Sequence, residues 1–197
     1  VDLADHQTTV NKENNGYKLA SEDRTDVLMI MPDRFSCSRL TPYNGWELFR
    51  AGAVANWRKW KRVTKYRKIK RLGVRYINRI DIPNPNNDKI RIEDYLMVYP
   101  LYPEPDVLSI LSNYAMHIEG DLGEGNLKLV INSGIMPSPL VGYSSILLDL
   151  DIVRAQDVPQ KDNEIWGLID LIRNEKNRIF EACVTDNARE LFNKGAW

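Results

Sequence analysis

Asp149 and Asp151 stand two residues apart in Leu147-Leu148-Asp149-Leu150-Asp151-Ile152. Side chains alternate faces along an extended strand, so both carboxylates point the same way. Two carboxylates on one face can hold Mg²⁺ through oxygen ligands. Like charges this close also destabilise each other unless something balances them. A counterweight exists in Leu72-Gly73-Val74-Arg75-Tyr76-Ile77-Asn78-Arg79-Ile80, where Arg75 and Arg79 share one face of a second alternating segment. If the two strands share a sheet face, cross-strand Arg–Asp pairs solve the problem. Three readings follow. Arg75, Arg79, Asp149 and Asp151 form a structural ion-pair network, or they line a polar pocket for a small ligand such as a phosphorylated molecule, or the carboxylates take a metal. The network comes first, and no metal or other cofactor is expected.

A second constellation is electrostatic. Leu48 to Ile80 contains twelve basic residues and no acidic one, and nine of the twelve lie between Arg58 and Arg71, interleaved with Trp57, Trp60 and Tyr66. The whole chain balances at 27 basic and 27 acidic residues. The remainder therefore carries 15 bases against 27 acids, a basic block on an acidic body. Such asymmetry marks a surface for an anionic partner. The candidate contacts are Arg58, Lys59, Arg62, Lys65, Arg67, Lys68 and Lys70. Nucleic-acid binding favours cations beside aromatics. Yet Trp46, Phe49, Ala53, Trp57, Trp60 and Thr64 fall at three- and four-residue steps, which puts them on one inward helix face. That turns Trp57 and Trp60 away from stacking and leaves phosphate contact without sequence reading. The same cations suit an acidic patch on a protein partner or on a second copy, or they are a plain solvated helix face with stems packed and heads in water.

Other reaction chemistries lack their residues. His6 lies in a polar stretch and His117 in a strand, with no second ligand at zinc spacing. Gly142-Tyr143-Ser144-Ser145-Ile146 lacks the second glycine of a serine nucleophile elbow. Gly120, Gly123 and Gly125 fit a hairpin loop, because no strand–loop–helix order surrounds them as a phosphate cradle requires. Neither Cys37 nor Cys183 has a thiolate-stabilising sequence neighbourhood, and both are expected as buried free thiols. The balance leans away from an enzyme and towards a binding or interaction protein. Its partner is a protein or a second copy, with nucleic acid as the alternative, and a catalytic or ligand-binding Arg/Asp face stands third.

The elements that must position these residues come from periodicity. Residues 1–16 are polar and are expected as a tail; 17–197 is expected as a single α+β domain. Val27 to Met31 and Phe35 to Arg39 alternate around Pro32-Asp33, a hairpin. A helix follows Gly45, then the long Arg75/Arg79 strand, ending at Pro83-Asn84-Pro85-Asn86-Asn87. Ile92 to Tyr99 is expected as a short helix, and Pro100, Pro103 and Pro105 make the next stretch irregular. Strands are expected over 113–120, 127–133 and 145–153. A helix over 162–183 carries the stripe Ile165, Leu168, Ile169, Ile172, Ile179, Phe180 and Cys183, with a last helical turn near 187–192. The whole is a largely antiparallel sheet of about six strands covered by two long helices. No apolar run reaches the roughly eighteen residues of a membrane span. The amino terminus lacks a signal-peptide pattern, so a cytoplasmic location is expected and no membrane partner.

Several segments together resemble a known family. Pro32-Asp33-Arg34-Phe35, Ser38-Arg39-Leu40 with Pro42-Tyr43-Asn44-Gly45-Trp46, Arg75-Tyr76-Ile77-Asn78-Arg79-Ile80, Leu148-Asp149-Leu150-Asp151 and Lys176-Asn177-Arg178-Ile179-Phe180 are similar, in that order, to blocks of a sporadically distributed, uncharacterised prokaryotic family known chiefly by a catalogue label. The resemblance runs from Tyr17 to Phe192 and brings no catalytic residue with it. It implies accessory genes, such as defence loci. It also implies a further N-terminal strand and helix, where this chain has its polar tail, and hence an open sheet edge.

Overall fold

The computed structural model describes residues 16–86, 88, 90–101 and 113–193, apart from the Glu124 side chain. Residues 1–15 with His6, and Pro103 and Pro105, lie outside them. The fold is α+β, with all strand pairs antiparallel. One sheet of about six strands was the expectation. Instead, among the described residues, seven strands form two sheets, of three and four strands. The chain divides between Arg67 and Lys68 into two compact units, each with one sheet.

In the first unit β1 (Tyr17–Ala20), β2 (Asp26–Ile30) and β3 (Phe35–Arg39) form a meander. The Asp23 carboxylate organises the β1–β2 turn. It accepts the Ser21 and Thr25 hydroxyls at 2.6 and 2.8 Å and the Thr25 N–H at 3.1 Å. These bonds hold Asp23 ionised and lower its pKa to about 2. At Pro32-Asp33 the β2–β3 hairpin closes, with Met31 and Arg34 bonded backbone to backbone. Helix α1 (Trp46–Thr64) starts at Gly45, whose φ of 96° and ψ of 164° suit a residue without Cβ. Its apolar stripe faces the sheet. Phe35 of β3 meets Trp57 and Trp60 at ring-centroid separations of 5.7 and 5.3 Å, and Trp46 and Ala53 are buried.

The second unit is a four-stranded sheet in the order β4 (Leu72–Pro83), β7 (Tyr143–Arg154), β6 (Leu127–Met136), β5 (Ala115–Asp121). On its apolar face Ile146, Leu148, Leu150 and Ile152 of β7 are almost completely buried. They pack in one cluster with Leu168, Ile172, Ile179 and Cys183 from the inward stripe of α2 (Asp162–Cys183). The short helix α3 (Asp186–Asn193) adds Ala188. The expected helix at Ile92–Tyr99 is only a 3₁₀ turn over Ile92–Asp94. Tertiary bonds override local propensity there. Leu96 bridges to Val184, and Tyr95 O accepts the N–H of Thr185.

One residue on the inward stripe of α2 is charged. Lys176 lies four residues after Ile172 and three before Ile179, and is only 7% exposed. Its Nζ sits 3.8 Å from the centroid of the Tyr76 ring on β4. Burial, with Arg173 nearby, pulls its pKa down from 10.5 to about 8. The folded state therefore holds this proton more weakly than the unfolded chain, and stability rises as pH climbs from about 8 towards 10.5. Lys176→Met keeps the stem volume and removes the charge. It should stabilise the protein by about 1–3 kcal/mol at pH 7, with the advantage shrinking above pH 9. Urea unfolding of both proteins across that range checks this.

Candidate functional site

The register of β4 against β7 puts Arg75 opposite Asp151, Ile77 opposite Asp149 and Arg79 opposite Leu147. All of these point to the face of the sheet opposite α2. The arginine side chains then reach beyond their direct partners. Arg75 crosses diagonally to Asp149 and grips it with both arms, Nε to Oδ1 at 2.8 Å and Nη2 to Oδ2 at 2.6 Å. This carboxylate raises the Arg75 pKa. Asp149 is only 2% exposed, whereas the Arg75 side chain is about half exposed. Asp151 is instead held by Arg71, Nη2 to Oδ2 at 3.1 Å. Arg79 turns along its own strand to Asp81, at 3.0 Å from both carboxylate oxygens, and the Ser145 hydroxyl donates to the same buried carboxylate.

The four predicted residues thus share a face but divide among three separate pairs. Sequence reading missed Arg71, Asp81, Ser145 and Asn132. Strand parity would have found Asp81 and Asn132, since each falls on the Asp149 face once register is known. Asn132 of β6 lies opposite Asp149 and donates Nδ2–H to Oδ2 at 3.0 Å. Its carbonyl oxygen then faces His117 Nδ1 on β5 at 2.6 Å, while His117 Nε2 faces Glu119 at 3.0 Å. Both ring nitrogens meet acceptors, so the Asn132 and Glu119 contacts favour the doubly protonated ring and raise its pKa. The result is a polar row, Arg75–Asp149–Asn132–His117–Glu119, crossing all four strands.

This row is internally satisfied. Both Asp149 oxygens are taken and both ends of the Asn132 amide are used. Among the described residues no cluster of three or more His, Cys, Asp or Glu side chains could hold a metal. Cys37 and Cys183 are free thiols. Burial pushes Cys37 up to about 11 and raises Cys183 as well, which makes both poor nucleophiles.

The basic block is organised differently. Arg58, Lys59 and Arg62 lie on α1, and Lys65, Arg67, Lys68 and Lys70 on the connection to β4; all seven are exposed. Arg67 donates to the Pro32 carbonyl oxygen at 3.3 Å. The other six side chains make no ion pair or hydrogen bond among the described residues. Lys61 and Arg62 in the last helical turn complement the negative end of the helix dipole. That argument does not reach Arg58 and Lys59. Arg58 and Arg62 are also a like-charged pair four residues apart, which costs the helix a few tenths of a kcal/mol.

No family model, curated protein or solved structure matches this chain. Among the described residues no helix is long and apolar enough to cross a membrane.

The Arg75–Asp149 fork makes an asymmetric mutational prediction. Arg75→Ala strands a buried carboxylate and should destabilise by about 3 kcal/mol or more. Asp149→Asn leaves only a half-exposed guanidinium, which water can serve, and should cost nearer 1 kcal/mol. The double variant should be more stable than Arg75→Ala alone. Chemical denaturation of the three proteins measures the order.

Proposed function

We propose that this chain is a non-catalytic binding module whose contact is the cationic surface of Arg58, Lys59, Arg62 and Lys65 in the first unit, set against a partner with clustered negative charge. The observation that carries this reading is the contrast between two sets of cations. Arg71, Arg75 and Arg79 are each matched to a carboxylate. Arg58, Lys59, Arg62, Lys65, Lys68 and Lys70 are exposed and meet no counter-charge among the described residues, in a chain that has as many acids as bases. Local repulsion of this kind, with no return to the fold, is characteristic of sites shaped by function. Charge of one sign also accelerates encounter with an opposite surface. The acidic remainder of the chain makes a second copy one chemically suitable partner.

The buried, paired carboxylate of Asp149 supports the structural reading of the Arg/Asp face over a catalytic one. An acid–base role needs a group within reach of the substrate, and Asp149 is withdrawn from solvent and held by Arg75 and Asn132.

The test compares the protein with a variant in which Arg58, Lys59, Arg62 and Lys65 are all alanine. The native protein should be retained on immobilised heparin, and the variant should elute at clearly lower salt with its thermal midpoint nearly unchanged. Equal elution of the two would remove the reading. Sedimentation in parallel gives the solution mass. A mass above one chain that falls in the variant would identify a second copy as the partner.

A further inference from the structure

The cationic surface of α1 contains two apolar side chains that the fold does not use. Val63 is 81% exposed and Tyr66 is 77% exposed. Lys59, Arg62 and Val63 follow at steps of three and four residues on one helix face, and Lys65, with a φ of 60°, turns the chain out of the helix before Tyr66. Tyr66 falls just past the last helical residue, Thr64. The two tryptophans of the block are turned to β3, where they stack on each other at 5.0 Å and against Phe35. Tyr66 is thus the aromatic of the block with its side chain open to solvent, and it makes no ring contact among the described residues.

We infer that the anionic partner is a single-stranded nucleic acid. Lys59 and Arg62 meet its phosphates, and an unpaired base stacks on the exposed ring of Tyr66. The inference rests on the binding reading above and specifies its partner. Charge complementarity selects a polyanion. The exposed ring selects among polyanions, because an unpaired base offers a flat face that a duplex keeps inside its stack. Stacking on one aromatic is sequence-tolerant, as is phosphate contact, so the expected binding follows strandedness and not base order.

The test is fluorescence anisotropy with a labelled oligo-dT of about 20 nucleotides. A duplex of equal length, heparin and phosphatidylserine vesicles are run in parallel. Wild type is compared with Tyr66→Ala, Tyr66→Phe and the double variant Lys59→Ala/Arg62→Ala. Tyr66→Ala should weaken oligo-dT binding about tenfold and leave heparin binding unchanged, while Tyr66→Phe, which keeps the ring, should bind like wild type. The double variant should reduce the salt slope by about 1.4, from ~0.7 per phosphate contact. The exposed position makes an unchanged thermal midpoint the internal control. If Tyr66→Ala binds oligo-dT as wild type does, or if duplex or vesicles are preferred, the single-strand inference is overturned while the binding reading stands. If heparin is not bound either, both fall.

Discussion

A carboxylate withdrawn from water governs the second unit. Asp149 sits on the central strand β7, one residue from Leu148 and Leu150 on the opposite, fully buried face. Its charge would be intolerable there without the Arg75 fork and the Asn132 amide. Those partners come from the strands on either side, so β7 must be flanked correctly on both edges for the charge to be satisfied. A slip of one residue would carry Asp149 into the apolar cluster and turn Leu148 and Leu150 outward. The pair therefore acts as a register lock more than as a source of net stability. Asp81, also buried, is satisfied differently, by Arg79 of its own strand and by the Ser145 hydroxyl of β7.

This logic divides the basic residues by employment. Arg75 and Arg79 beside the sheet of the second unit answer buried acids, and their removal would be felt in folding. Arg58, Lys59 and Arg62 on α1 meet no counter-charge among the described residues. Net charge alone hides this division, since the totals cancel. It becomes visible when each cation is asked for its counter-charge.

Much of this was legible in the sequence because periodicity is a direct image of burial. The stripe from Trp46 to Trp60, the hairpin at Pro32-Asp33 and the boundaries of α2 all follow from spacing. The common face of Asp149 and Asp151 followed from parity. Partners across strands did not, because register is a long-range property. Arg79 chose Asp81 on its own strand, and Arg75 reached past its direct neighbour. The separation into two sheets was equally hidden, since alternation reports a strand but not which sheet it joins. The turn at Ile92 was misread because its residues are committed to the α2–α3 junction, far along the chain. Lys176 was passed over for a different reason. Its spacing placed it on the apolar stripe, and only its charge argued otherwise.

The spatial order β4-β7-β6-β5 has a consequence for how the chain is made. The meander β5–β6–β7 can pair as it emerges from the ribosome, each strand finding the one before it. β4 emerges first and has to wait, because its only partner in the sheet, β7, begins 60 residues after β4 ends. At typical synthesis rates of about 5–20 residues per second, that wait lasts roughly 3–12 seconds. During it a twelve-residue strand rich in isoleucine stands unpaired, the kind of segment that joins other chains edge to edge. Arg75 and Arg79 interrupt its apolar run at two points and make such pairing between nascent chains electrostatically costly. Arg75, which later settles the buried Asp149, thus serves first as a guardian of solubility, before the acid it will meet has been synthesised.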